Sequence, residues 1–184
     1  GLLDLTVIFL DEGVPSTLHH YRNIGSTTKP AWATADPFKT LTNANFTSVS
    51  FADLDNDADL DAVFNANNGK LIEFENIGSA SIPSWKRLPD IFDGIKASYG
   101  LHPVMVDYDS DGDLDLLSPS GDYYYYWKPT YVYYENTGSS TIPNFTFKPL
   151  RNQTFPHDLD ILHMAFADLN NDGQKELMVL YRVS

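Results

Sequence analysis

Three stretches of the sequence set acidic or amide side chains on alternate residues. The first runs Asp53-Leu54-Asp55-Asn56-Asp57-Ala58-Asp59-Leu60-Asp61. Counted from its first aspartate, carboxylates fall at positions 1, 3, 5 and 9, and position 7 (Asp59) can offer a backbone carbonyl. In a tight loop alternate residues point inward, so this spacing makes an oxygen cage. A hard cation of calcium's size takes roughly six to eight oxygens at about 2.3–2.6 Å. The second stretch supplies Asp107, Asp109, Asp111 and Asp115, with Asp113 at position 7; the third supplies Asp168, Asn170, Asp172 and Glu176, with Gln174 at position 7. Gly112 and Gly173 occupy position 6, where the chain turns sharply. Ala58 stands there in the first loop, which predicts strain or weaker binding. An EF-hand is excluded, because position 12 holds Phe64, Ser118 and Val179 rather than glutamate, and strand-like segments flank each loop. Aspartate-rich hairpin turns that bind nothing are common, yet three copies in one phase favour chelation. Gly1-Leu2-Leu3-Asp4 aligns with Gly112-Asp113-Leu114-Asp115, so Asp4 marks a further half-site. The expectation is about three Ca²⁺ sites and that half-site.

The elements that must hold these loops recur with them. An apolar segment precedes each loop, and a second follows it, as in SVSFADL and LDAVFNA around the first. A short Asn-Asn-Gly turn then leads to KLIEFENIG, and SWKRL closes the unit. Each segment is short, alternating or β-branched, and bounded by turn residues, while none shows helical periodicity. The predicted order is strand A, acidic loop, strand B, turn, strand C, Asn-x-Gly turn, strand D. A second motif follows each loop: YRNIGSTTKPAW from Tyr21, FENIGSASIPSW from Phe74 and YENTGSSTIPNF from Tyr134. Successive loops begin 54 and 61 residues apart, at Asp53, Asp107 and Asp168. A period near 57 suits one four-stranded propeller blade. The expected fold is therefore an all-β propeller segment, with approximate repeats at 1–44, 45–98, 99–158 and 159–184, the first and last incomplete. About three blades fall short of a closed ring. A sequence that opens inside a loop and stops after a strand B is expected to be a stretch of a longer chain.

Composition agrees with a packed, acidic domain. The 184 residues are 42% hydrophobic and 20% charged, with a formal charge of -13. That charge repels a phosphate backbone or an anionic bilayer, and no apolar run reaches the roughly 18 residues of a spanning helix. Neither nucleic-acid binding nor membrane insertion is expected. The three loops hold 13 of the 25 acidic residues, so three bound Ca²⁺ would bring the formal charge to -7. Cysteine is absent, which removes disulfides, thiolate nucleophiles and sulfur-ligated zinc. The apolar start carries Asp4 and lacks a basic head and small-residue cleavage site, so it reads as a strand. Sequons at Asn45, Asn144 and Asn152 offer glycosylation sites if the chain is secreted by a eukaryote.

The pattern of apolar strand, D-x-D-x-D-G-x-x-D, second strand, then (F/Y)-E-N-x-G and P-x-(W/F) resembles the FG-GAP/VCBS repeats of integrin-α-like β-propellers over nearly the whole chain. That resemblance implies six to eight blades with calcium on one face of each. It also implies an extracellular or cell-surface setting, in adhesion proteins, fungal lectins or polysaccharide-degrading enzymes. The leading expectation is a non-enzymatic, calcium-binding segment for adhesion or recognition of glycan or protein. The alternatives are a subunit of an extracellular filament or matrix, built by self-association into an array, and a propeller of a polysaccharide-active enzyme.

Recurrence separates scaffold from specialisation. Trp32, Trp85 and Phe145 recur, as do Asn23, Asn76 and Asn136 with Gly25, Gly78 and Gly138; these read as packing and as the C–D turn. Tyr123 to Trp127 interrupts one repeat only. Tyr124, Tyr126 and Trp127 are the candidate ligand-binding residues, against packing between blades as the alternative. His102 and His163 precede their loops by five residues and read as strand residues facing a channel or neighbour; His19-His20 is too isolated for a metal site. No nucleophile elbow, zincin motif or P-loop is present, so no catalytic residue is assigned.

Overall fold

A computed structural model describes residues 3–9, 16–35, 37–38, 41, 45–95, 102–120, 130–149, 159–170, 172 and 175–183. Among them the secondary structure is all β, in four antiparallel sheets. The first sheet is β1 (Leu5–Phe9), β2 (Thr17–Asn23) and β3 (Trp32–Ala35), in that order. The second is the meander β4 (Phe46–Ala52), β5 (Asp61–Ala66), β6 (Leu71–Asn76) and β7 (Trp85–Arg87). The third repeats that order with β8 (Val104–Val106), β9 (Asp115–Ser120), β10 (Thr130–Asn136) and β11 (Phe145–Lys148). The fourth pairs β12 (Leu159–Ala167) with β13 (Glu176–Val183). An acidic loop joins β4 to β5, β8 to β9 and β12 to β13, so each lies between the first two strands of its meander.

Burial on both faces explains why the second strands read as apolar runs instead of clean alternation. In β5, Ala62 and Phe64 pack with Ile8 and Leu18 of the first sheet. Val63 of the same strand packs with Leu71, Leu116 and Phe145 toward the third sheet. In β9, Leu116 faces the second sheet, while Leu117 joins Met164, Phe166, Leu177 and Val179 of the fourth. The four sheets therefore stack in sequence order through three apolar layers. Their leading strands also touch: β4 meets β8, and β8 meets β12. The Ser50 hydroxyl donates to the Pro103 carbonyl across the first of these contacts. At the second, the rings of His102, just before β8, and His163 of β12 meet edge to face at 4.9 Å, so of the two only His163 is a strand residue. Ring closure is not seen among the described residues.

Segments between sheets add an aromatic clasp. Phe38, after β3, stacks on Trp85 at 5.3 Å and 23°, and the Trp85 indole N–H donates to the Pro37 carbonyl at 2.8 Å. Phe92, after β7, stacks on Phe145 at 5.0 Å and 22°. Trp85 and Phe145 thus pack between sheets as expected. Trp32 does not: it pairs with Asn23 on the face turned away from the second sheet and is 48% exposed.

Candidate metal centres

The acidic loops are wound by their own side chains. In the first, the Asp53 carboxylate accepts from the amides of Asp57 and Ala58, both at 3.1 Å, and Asp57 accepts from the Asp59 amide at 2.9 Å. In the second, Asp109 accepts from the Asp111 amide at 3.3 Å, and Asp111 from the Asp113 amide at 3.0 Å. Such side-chain turns favour left-handed residues. Asn56 (φ 61°) and Ala58 (φ 75°) adopt that conformation at positions 4 and 6, as do Ser110 (φ 65°) and Gly112 (φ 99°) in the second loop. Position 6 was legible from glycine; position 4 was not.

The aspartate at position 9 has a structural duty that spacing did not reveal. Asp61 accepts from the Leu54 amide at 2.9 Å and from the Asn76 amide at 2.8 Å, tying its loop to the end of β6. Asp115 accepts from Tyr108 at 3.0 Å and Asn136 at 2.7 Å in the same way. Asp4 likewise accepts from the Asn23 amide, at 2.8 Å. The tied asparagines then build the next turn. Asn76 takes the amides of Gly78 and Ser84, and Asn136 those of Gly138 and Asn144. A Cβ on Gly78 would lie 2.4 Å from the Ile82 carbonyl oxygen, which is why glycine stands there.

Anchored so, oxygens of Asp53, Asp55 and Asp61 come within 4.8 Å of one another, and those of Asp107, Asp109 and Asp115 do the same. One Asp107 oxygen is buried without a hydrogen-bond partner, as is one oxygen of Asp59. Burial raises the Asp55 and Asp109 carboxyls above the usual range, and the neighbouring charges of Asp57 and Asp111 add to it. Burial also lifts Asp115, and it lifts Asp61 to about 6, against the opposing pull of their backbone amides. A group of oxygen-only donors that resists ionisation, with a buried lone pair to spare, fits a hard divalent cation. Asp57 and Asp111 lie exposed outside both groups, and Asp113 is half-buried.

The third loop differs. At the positions equivalent to the other two groups it carries two carboxylates, Asp168 and Glu176, and the Asn170 amide, so no three-carboxylate group forms there among the described residues. The Asn170 amide nitrogen donates to Asp172 and Glu176 at 3.0 Å each, at the position where the other loops carry Asp55 and Asp109. Glu176 keeps the anchor role by accepting from the Leu169 amide at 2.7 Å. Gln174 lies outside the described residues, as do Tyr124, Tyr126, Trp127 and Asn152. Asn45 and Asn144 are exposed. The Asp4 half-site holds one carboxylate beside His20, whose Nε2 lies 3.5 Å away.

Residues 107–179, which hold the second and third loops, match the FG-GAP-like repeat family. The match is consistent with an FG-GAP-like repeat in that span, and residues 46–87 before it have the same loop, anchor and turn bonds as the third sheet. No curated protein and no solved structure gives a significant match to the chain.

Proposed function

We propose that the chain is a calcium-binding segment of an extracellular β-propeller that serves adhesion or recognition of glycan or protein, and that it is not an enzyme. The convergence of three carboxylates in each of two equivalently placed loops, one with a buried unpartnered oxygen, carries this reading. Asp53, Asp55 and Asp61 hold one ion; Asp107, Asp109 and Asp115 hold the other. The ion offsets the burial, and the added repulsion, that raise Asp55, Asp61, Asp109 and Asp115, and it fixes the loop between the first two strands. Affinities of about 10⁻⁴–10⁻³ M suffice where calcium is millimolar, as it is outside cells. Exposed sequon asparagines at 45 and 144 suit the same setting. The FG-GAP-like repeat makes a propeller the natural architecture for the stacked meanders.

Thermal melts in chelator and in millimolar calcium test the proposal. Millimolar calcium is about 1–10 times such a dissociation constant, so each site adds about 0.4–1.4 kcal/mol, and calcium should raise Tm. Asp55→Asn combined with Asp109→Asn should cancel the rise. Equal melts with and without calcium would remove the reading.

A further inference from the structure

The anchor aspartate of the third sheet accepts one hydrogen bond more than that of the second, among the described residues. Asp115 Oδ1 accepts from the Asn136 amide at 2.7 Å, and Oδ2 accepts from the Tyr108 amide at 3.0 Å. Asp61 accepts from the two matching amides, of Asn76 and Leu54. The further bond to Asp115 comes from the Tyr133 hydroxyl, which donates to Oδ2 at 3.1 Å. Tyr133 stands three residues before the turn asparagine Asn136; the same place holds Glu73 before Asn76 and His20 before Asn23. An ionised glutamate has no proton to give. His20 does approach its own anchor, with Nε2 3.5 Å from Asp4 Oδ2.

The Tyr133 ring is held as firmly as its hydroxyl. It is 6% exposed, its centroid lies 4.9 Å from that of Tyr108, and it packs with Val106, Leu117 and Met164 in the layer between the third and fourth sheets. One side chain thus reaches from that layer to a carboxylate that is itself fully buried and is one of the three whose oxygens converge. Hydrogen bonds to a ligating carboxylate fix its direction, and losing such a partner costs about 10–100-fold in metal affinity. We infer that Tyr133 is a positioning residue of the centre at Asp107, Asp109 and Asp115: its hydroxyl aims the Asp115 carboxylate, and its ring ties that carboxylate to the layer packed on the fourth sheet. The inference rests on the calcium reading above. It makes this centre, and not the one in the second sheet, sensitive to how the next sheet packs.

Calcium titration of the full chain, followed through the backbone amide resonances of 54–61 and of 108–115, reads the two loops separately. Tyr133→Phe keeps the ring and its packing and removes only the hydroxyl. It should raise the calcium midpoint of loop 108–115 about tenfold or more and leave that of loop 54–61 unchanged. A hydroxyl with a structural role alone would lower Tm in chelator and leave both midpoints in place, and that result would overturn the inference. In the unsubstituted chain the Tyr133 ring and Met164 methyl resonances should shift at the calcium concentration that moves loop 108–115. If they stay still while the loop responds, the inference falls whether or not the variant folds. If neither loop of the unsubstituted chain responds to calcium, the calcium reading falls, and this inference with it.

Discussion

Ala58 sits at φ 75° in a loop whose counterpart uses Gly112 at φ 99°. A left-handed residue with a Cβ costs roughly 1–2 kcal/mol, while glycine's extra freedom in the unfolded chain returns about 0.5–1 kcal/mol of that. Relief of the backbone strain outweighs the lost entropy, so Ala58→Gly should stabilise the protein by about 0.5–1 kcal/mol, read as a higher Tm in calcium-free buffer. A lower Tm would mean that the loop does not hold this conformation. Nearby, burial drives two carboxyls upward, Asp61 to about 6 and Glu73 to about 7, the latter helped by the charge of Asp61. Both are protonated more readily in the folded chain than in the unfolded one. Their cost is therefore absent below about pH 4, grows as pH rises, and is complete above about pH 7. Cation-free protein should lose stability from pH 5 to pH 8 by urea denaturation. Saturating calcium should reduce that slope, because the ion takes the place of the proton on Asp61. A flat profile in chelator would show that these carboxyls are not buried as described.

Sheets are joined by their linkers as much as by their faces. Phe92 is 1% exposed and lies in the layer between the second and third sheets, against Phe145. Phe92→Ala should cost about 3–5 kcal/mol, whereas Phe147→Ala, at a residue 57% exposed, should cost far less. Equal losses in a denaturant series would mean that the linker does not clasp the sheets. Strand order, acidic loops and Asn-x-Gly turns were legible in the sequence because each is local and recurs in phase. The Phe38 and Phe92 clasps were not, although both follow a strand D within Asp-Pro-Phe and Asp-Ile-Phe. Phe38 lies 47 residues from its partner Trp85, and Phe92 lies 53 from Phe145. Their distances from the ends of the preceding strands, Ala35 and Arg87, also differ by two residues, which blurs the repeat. The anchor duty of Asp61 stayed hidden for a related reason: its acceptors face amides on another strand, and a ligand and an anchor share one residue type.

The stack presents two apolar outer faces. On the first sheet Leu5, Phe9 and Trp32 are 45%, 52% and 48% exposed, opposite the face that packs on the second sheet. On the fourth, Met178 and Leu180 are 40% and 61% exposed, opposite Leu177 and Val179. These faces match the two sides of the first two internal layers, in which an aromatic from a strand D and its neighbours cover the aliphatic residues of the preceding sheet. This favours a second reading, in which the last sheet of one copy seats on the first sheet of the next. Such a head-to-tail contact extends into an array when it does not close. A charge of -13 on each copy opposes it. At about 0.15 M salt, however, repulsion between exposed charges is screened beyond about 8 Å, and bound calcium lowers the charge further. Sedimentation should therefore show a mass that climbs with protein concentration, more steeply in calcium than in chelator. Trp32→Glu or Leu180→Asp should hold the chain monomeric without lowering its Tm, since neither side chain touches an internal layer. A monomeric mass at high concentration in calcium would rule this association out.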